Sequence, residues 1–372
     1  MKFTCTRENL LSVLQQVSGI ANKHTNLPIL NNILIQVSSS KVEMISTNLE
    51  IAIKAHLRAK IEEEGSFTVP AKTLTDFVNL LPEEQIHISL DENELLINCG
   101  SSKTKIKGAG ADDYPVIPEI EEKNGYVFSA ENFKDSLAKV VVAVAKNEIR
   151  QELAGVYFGF FTPGFKGLTL AGTDSYRLAE KKLEISQGDE SFECIVPSRC
   201  IQELIRLISA GKDEQTENNV RLWVSENQIS VRFANFELSS RLVDGKYPDY
   251  AQIIPKEFKT GATVLNSSLV KKIKAASLFT TLGVNAVNFK IGDGQMIVSS
   301  TSTQTGEHSS SLDAQIVGDE NEILLNHRYV LDGLQQISGS DVILNINTSD
   351  TPCLLKPKND NSYVYIVMPI RQ

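Results

Sequence analysis

The chain has 372 residues, 41% of them hydrophobic and 22% charged, with a net charge of −9. That length holds two or three domains of about 150 residues, and the composition excludes a disordered, collagen-like or low-complexity chain. The acidic total counts against a simple basic nucleic-acid binder, although the distribution of charge matters more than its sum. The purest apolar run, residues 140–145, falls far short of the ~20 residues of a membrane span. The first eight residues hold no apolar signal core, so the cytoplasm is the expected location. The five cysteines, Cys5, Cys99, Cys194, Cys200 and Cys353, are odd in number and form no Cys-x-x-Cys pair. Reduced, buried thiols are expected, with no disulfide framework and no metal site.

In chain order, Thr6 precedes Leu10, Leu14 and Val17 at helical spacing, which predicts a helix over 6–24. A strand at 33–37 follows, then a helix over 71–81 and a strand at 85–90. Asp113-Tyr114-Pro115 through Pro118 punctuates the chain. Ser129 then precedes Phe133, Leu137, Val140 and Val144, predicting a helix over 130–147. A strand at 156–160, a helix over 198–212 and a strand at 221–224 come next. Asp244-Gly245-Lys246-Tyr247-Pro248-Asp249-Tyr250 closes this stretch. The last third predicts a helix over 266–280, a strand at 287–291, a helix over 326–338 and a strand at 341–346.

The order repeats. Val69-Pro70-Ala71-Lys72, Val196-Pro197-Ser198-Arg199 and Leu325-Asn326-His327-Arg328 each lead into an amphipathic run, with starts 127 and 129 residues apart. Thr47-Asn48, Thr173-Asp174 and Thr301-Ser302 recur at 126 and 128. A period this long is a whole domain rather than a solenoid repeat. Three tandem copies are predicted, at 1–125, 126–253 and 254–372. Each has two helices among many strands, an α+β class with antiparallel sheets.

Over the six predicted helices Lys and Arg outnumber Asp and Glu by seven, leaving −16 elsewhere. At ~100° per residue, Lys139 and Lys146, Lys271 and Lys274, and Arg199 and Arg206 fall opposite the apolar faces. One reading is an ordinary solvated face; the other is a basic surface turned toward phosphates. No dinucleotide fingerprint, P-loop, nucleophile elbow or zinc-binding helix is present. The polar cluster Thr173-Asp174-Ser175-Tyr176-Arg177 reads either as a hydrolase site or as a turn stitched by Asp and Ser side chains. A three-domain scaffold without a DNA role is another alternative. The prediction is a non-enzyme without a cofactor.

These residues, together with Leu14-Gln15-Gln16-Val17-Ser18-Gly19, Leu27-Pro28-Ile29-Leu30-Asn31-Asn32, Arg177-Leu178-Ala179 and Val367-Met368-Pro369, closely resemble the bacterial sliding clamps, the beta subunits of DNA polymerase III. The resemblance runs the length of the chain. It implies the DNA clamp fold, closed into a ring as a head-to-tail homodimer, that encircles duplex DNA without sequence specificity, slides, and acts as a processivity factor. It implies the replicative DNA polymerase, the clamp loader and other clamp-motif proteins as partners, docked in a pocket between the second and third copies. The positions carried over are Arg150, Leu153, Thr173, Tyr176, Arg177, Leu178, Pro248, Ile253, Ile366, Val367, Met368, Pro369, Ile370 and Arg371. For DNA they are Lys23, His24, Lys72, Lys146, Asn147, Arg199, Lys271 and Lys274. For the dimer contact they are Thr104, Ile106 and Ile273, with the 299–308 segment. Relatives usually have Gly-His where this chain has Ser175-Tyr176.

Overall fold

The computed structural model describes residues 1–21, 27–118, 120–123, 125–147, 149–211, 218–281 and 283–371. Among them are six α-helices: α1 (Arg7–Val17), α2 (Ala71–Leu80), α3 (Ala130–Val141), α4 (Ser198–Ala210), α5 (Asn266–Ser277) and α6 (His327–Gln336). Each starts within a residue of its predicted position, and each ends sooner. After α3 the chain tightens, with Ala143 N bonding Val140 O at 3.1 Å, while Ala143 and Val144 remain buried. The apolar period therefore outlasts the helix. The shorter helices carry a net +4, not +7. Lys146 lies beyond α3, and Lys23 and Lys212 fall outside the described residues.

The chain divides into two compact units. The first comprises Met1–Lys134, Ser186–Gly188 and Gln202–Leu242. It holds a five-stranded sheet ordered Lys60–Glu63, Lys2–Thr6, Gln85–Asp91, Glu94–Cys99, Ser102–Lys107. It also holds an eight-stranded sheet ordered Tyr126–Ser129, Asn219–Val224, Gln228–Phe233, Phe236–Arg241, Ile51–Leu57, Val42–Thr47, Asn32–Val37, Gly65–Pro70. The second unit comprises Asp135–Ile185, Asp189–Ile201 and Val243–Gln372. Its nine-stranded sheet runs Phe192–Pro197, Gly155–Phe160, Leu168–Thr173, Arg177–Leu183, Tyr363–Val367, Cys353–Pro357, Asp341–Ile346, Thr260–Leu265, Gln315–Gly318. Its four-stranded sheet runs Gly306–Asp313, Gln295–Ser302, Ala286–Gly292, Asn321–Asn326. The pairings are antiparallel. This division cuts the predicted second copy: 135–185, 189–201 and 243–253 go with the end of the chain, the remainder with its beginning.

The threefold repeat is written in hydrogen bonds. The first residue of each copy's first helix donates to the segment after its second: Arg7 N to Glu84 O, Ala130 N to Asn218 O and Asn266 N to Ser340 O, at 3.1, 2.9 and 2.8 Å. Side chains then finish the second helices, whose last carbonyls lack intrahelical donors. Arg7 donates to Val78 O and Asn79 O, and Asn266 donates to Leu334 O and Ile337 O. The last turn of each first helix meets a strand residue. Ser46 Oγ donates to Val17 O, and Ser300 Oγ to Ala276 O at 2.6 Å. The matching residue in the middle copy is Gly172, where a Cβ would stand 2.7 Å from Val140 O.

The interior is aromatic and aliphatic. Phe3, Phe67, Phe128, Phe133, Phe158, Phe160, Phe236, Phe289, Tyr363 and Tyr365 are fully buried, each stabilising by roughly 1.5–3 kcal/mol through area removed from water. All five cysteines are buried, and burial pushes the thiols of Cys5 and Cys194 up to about 12. Burial of this kind suppresses the thiolate, the form that reacts. Among the described residues no helix is long and apolar enough to cross a membrane.

Candidate partner-binding site

The Leu168–Thr173 and Arg177–Leu183 strands are joined by a turn whose side chains hold its own backbone. Thr173 Oγ1 donates to Arg177 O at 2.6 Å and accepts from Ser175 N at 3.1 Å. Asp174 Oδ1 accepts from Tyr176 N and Arg177 N, both at 3.0 Å. Ser175 is left-handed, at φ 75°. The same turn, bond for bond, occurs at Thr47–Ile51, with Leu49 at φ 75°. The polar cluster is thus a fold element of the repeat, which removes the reason to read it as a hydrolase site.

The turn thrusts Tyr176 outward, 63% exposed, with its ring stacked on Tyr329 of α6 at 6.4 Å. Next to it the chain's end is laid down as a strand. Arg177 pairs with Val367 and Leu178 with Ile366, after which Met368 N donates to Tyr176 O at 2.8 Å. Ile370 N then donates to Leu324 O at 2.9 Å. Arg150 caps a short 3-10 turn (Gln151–Leu153), and its guanidinium lies 3.5 Å from Ser175 Oγ. Under these segments lies an apolar floor of Ala171, Leu178, Ile195, Tyr247, Tyr250, Leu354 and Ile366, with Met368 packed on it. Tyr250 donates to Glu180 at 2.8 Å and Tyr247 to Ala171 O, so the buried phenols are satisfied. Burial, and for Tyr250 the Glu180 charge, hold both phenols well above the usual tyrosine range.

Arg177 fixes this arrangement from behind. It is 3% exposed, bonds Asp174 through Nε at 3.1 Å and Asp332 of α6 through Nη1, and stands 4.7 Å over the Tyr329 ring. Burial alone would weaken its charge, but Tyr365, Asp332 and Asp174 outweigh this and raise its pKa above the ordinary arginine value. Thr173, Arg177, Val367 and Leu153, expected to line the pocket, are buried and act behind its surface. Tyr176, Ile253, Met368, Pro369, Ile370, Arg371, Arg150 and Pro248 keep exposed or half-exposed surface, with Leu178 and Ile366 as floor. Sequence reading missed Tyr329, Asp332, Tyr247 and Tyr250. A separate polar cleft of about 1270 Å³, lined by Lys259, Glu320, Glu322 and Asp350, shares only Ile370 and Arg371 with the expected pocket.

Lys72, Arg199, Lys271 and Lys274 are exposed on α2, α4 and α5. Lys146 and Asn147 are exposed but follow α3 instead of lying on it. Lys23 and His24 lie outside the described residues. Two cations placed on the basic faces are otherwise engaged. Arg206 bonds Gln15 O and Gln16 O at 2.9 and 2.7 Å, capping α1, and Lys139 lies half-buried 5.7 Å over the Tyr363 ring.

Thr104 and Ile106 sit on Ser102–Lys107, a free edge of the five-stranded sheet, with Ile106 buried in its own unit. Ile273 is corrected by the structure: it is fully buried with Leu269 and Ala276. The apolar residue α5 exposes is its C-cap, Leu278, at 71%. Beside it Phe279 stacks on His308 at 5.7 Å, and His308 lies on Gly306–Asp313, a free edge of the four-stranded sheet.

Residues 1–118, 128–249 and 251–371 match, in turn, the N-terminal, central and C-terminal domains of the DNA polymerase III beta subunit. The chain is 28% identical over its whole length to 99% of the beta sliding clamp of Synechococcus elongatus. Its fold superposes on the crystal structure of the Bacillus subtilis DNA polymerase sliding clamp with a TM-score of 0.92, at 27% identity, covering 100% of this chain and 99% of that one. It superposes equally on the Pseudomonas aeruginosa clamp bound to griselimycin, with a TM-score of 0.93, 25% identity and full coverage of both. Three domains in the family's order, on the family's fold, establish that the chain belongs to the DNA polymerase III beta subunits, the bacterial sliding clamps.

Proposed function

We propose that the chain, a polymerase processivity clamp by family, works as a head-to-tail homodimer that closes a ring on duplex DNA and tethers the replicative polymerase, the clamp loader and other partners. The domains are taken as 1–125, 126–253 and 254–372. The observation that carries partner docking is the seam of Arg177–Leu183 with Tyr363–Val367. It lays the chain's end beside a rigid turn, an exposed Tyr176 and an apolar floor. Extended partner segments with apolar anchors suit such a surface, and Met368 adapts to more than one of them. The griselimycin-bound Pseudomonas relative supports a ligand site on this fold.

Ring closure uses the two free sheet edges, Ser102–Lys107 on one protomer and Gly306–Asp313 on its partner. Thr104 and Ile106 lie on the first, and Leu278 and Phe279 beside the second. Adding strand to strand satisfies edge backbone groups and closes a heterologous contact. Lys72, Lys146, Asn147, Arg199, Lys271 and Lys274 face phosphates without reading bases; Lys23 and His24, named with them, lie outside the described residues. The test is primer extension on a long circular template with a bacterial replicative polymerase and clamp loader. Products many times longer per binding event are expected with the intact chain, and not when residues 368–372 are removed. Unchanged product length with the intact chain refutes the reading.

A further inference from the structure

The docking surface has a counterpart in the first unit, built from the same parts. The turn Thr47–Ile51 repeats Thr173–Arg177. Phe236–Arg241 lies on Ile51–Leu57 as Tyr363–Val367 lies on Arg177–Leu183, with Ser240 opposite Ile51 where Val367 stands opposite Arg177. Arg241 N donates to Glu50 O at 2.9 Å, as Met368 N does to Tyr176 O. Leu27 caps a 3-10 turn (Pro28–Asn31) with the same backbone as Arg150. Tyr114 donates to Ile45 O as Tyr247 does to Ala171 O, over a cluster of Leu34 and Ile45 with Ile29 and Ile117 packed on it.

The counterpart differs in surface chemistry. Leu27 is 47%, Leu49 46% and Val116 92% exposed, an apolar set where the second unit has Arg150, Ser175 and Asp249. Glu50 and Asp113, both exposed, stand where Tyr176 and Lys246 stand in the second unit, and they outnumber the exposed Arg241 that stands where Met368 does. Exposed apolar side chains rimmed by charge mark interaction sites, and the sign of the rim selects the partner.

We propose that this surface is a second docking site, and that its occupant is an extended partner segment with apolar anchors flanked by lysine or arginine. It rests on the docking reading of the first site only through the shared architecture. The two sites then take differently charged segments, so one clamp holds two classes of partner at once.

The probe is a fluorescein-labelled peptide with a Leu-Phe anchor flanked by lysines, read by anisotropy with the full-length protein at physiological salt. Leu49→Ser with Val116→Ser, and separately Glu50→Lys with Asp113→Lys, should each weaken it at least tenfold. Tyr176→Ala should leave it within twofold. All five side chains are exposed, and circular dichroism melts check the fold. Unchanged affinity in both double variants overturns the proposal. So does loss on Tyr176→Ala, which places the peptide at the other surface, or equal binding of a peptide with serine anchors, which leaves only charge attraction. Failure of the docking reading itself shows separately, as processivity that survives removal of residues 368–372.

Discussion

Replacing Arg177 by methionine keeps most of the side-chain volume and removes the charge. The guanidinium is 3% exposed, but its acceptors differ: Asp174 is 15% exposed and Asp332 43%. Two charge-assisted bonds are lost, each worth about 1.5–3 kcal/mol. Asp332 regains water, and Asp174 keeps the amides of Tyr176 and Arg177. The cost therefore falls below the 3–5 kcal/mol of a fully buried pair, at about 2 kcal/mol. A three-domain chain does not license a single unfolding free energy. The assay is amide exchange along the ladder between Arg177–Leu183 and Tyr363–Val367, read by mass spectrometry. A loss of 2 kcal/mol speeds exchange there about 30-fold, and Arg177→Lys should not restore protection, because an ammonium cannot fork to two carboxylates. Exchange within threefold of the unchanged chain in Arg177→Met would refute the network as the anchor of the site.

Further outcomes follow from the same geometry. Ser46→Ala should cost about 1–2 kcal/mol locally by orphaning Val17 O, whereas Gly172→Ala should cost about 2 kcal/mol or more by forcing a methyl onto Val140 O; amide exchange in α1 and α3 of each variant checks both. Lys181 and Ser362 hold the Asp360 carboxyl down to about 2 against burial. Its contribution, about 1 kcal/mol after solvent screening, is present above pH 4 and lost as pH falls from 4 to 2. An Asp360→Asn variant should therefore match the parent only below about pH 2 and melt lower at pH 6. Lys271→Ala with Lys274→Ala should shallow the salt dependence of DNA binding by about 2 in log–log slope per chain, measured by filter binding across a salt series. Arg206→Ala should lower stability through the lost cap of α1 more than it alters that slope, seen by comparing its melt with the same salt series.

The repeat was legible because a domain copied three times carries its fixed points with it. Thr47 and Thr173 mark one turn position, and Pro70, Pro197 and Asn326 mark helix starts. Helix ends were not legible, because Ala143 and Val144 stay apolar and buried after the winding stops. The pocket's chain end and turn were readable as segments. Their bracing was not, since Arg177 meets Asp332 across 155 residues and no local pattern announces such a pair. Ile273 shows the opposite fault: its spacing from Leu269 and Ala276 already set it on the buried face, and the resemblance carried it to a surface contact although the apolar residue exposed at the end of α5 is Leu278.

The seam of Arg177–Leu183 with Tyr363–Val367 also sets an order of events during synthesis. The first unit has all its residues once the ribosome has passed Leu242. The second cannot complete its nine-stranded sheet until Val367 emerges, 125 residues later. At roughly 5–20 residues per second that is a wait of roughly 6–25 s, during which one flank of Arg177–Leu183 has no neighbour. An unpaired strand flank recruits other chains, so a message cut short near its end yields a protein that clumps rather than one that merely lacks a tail.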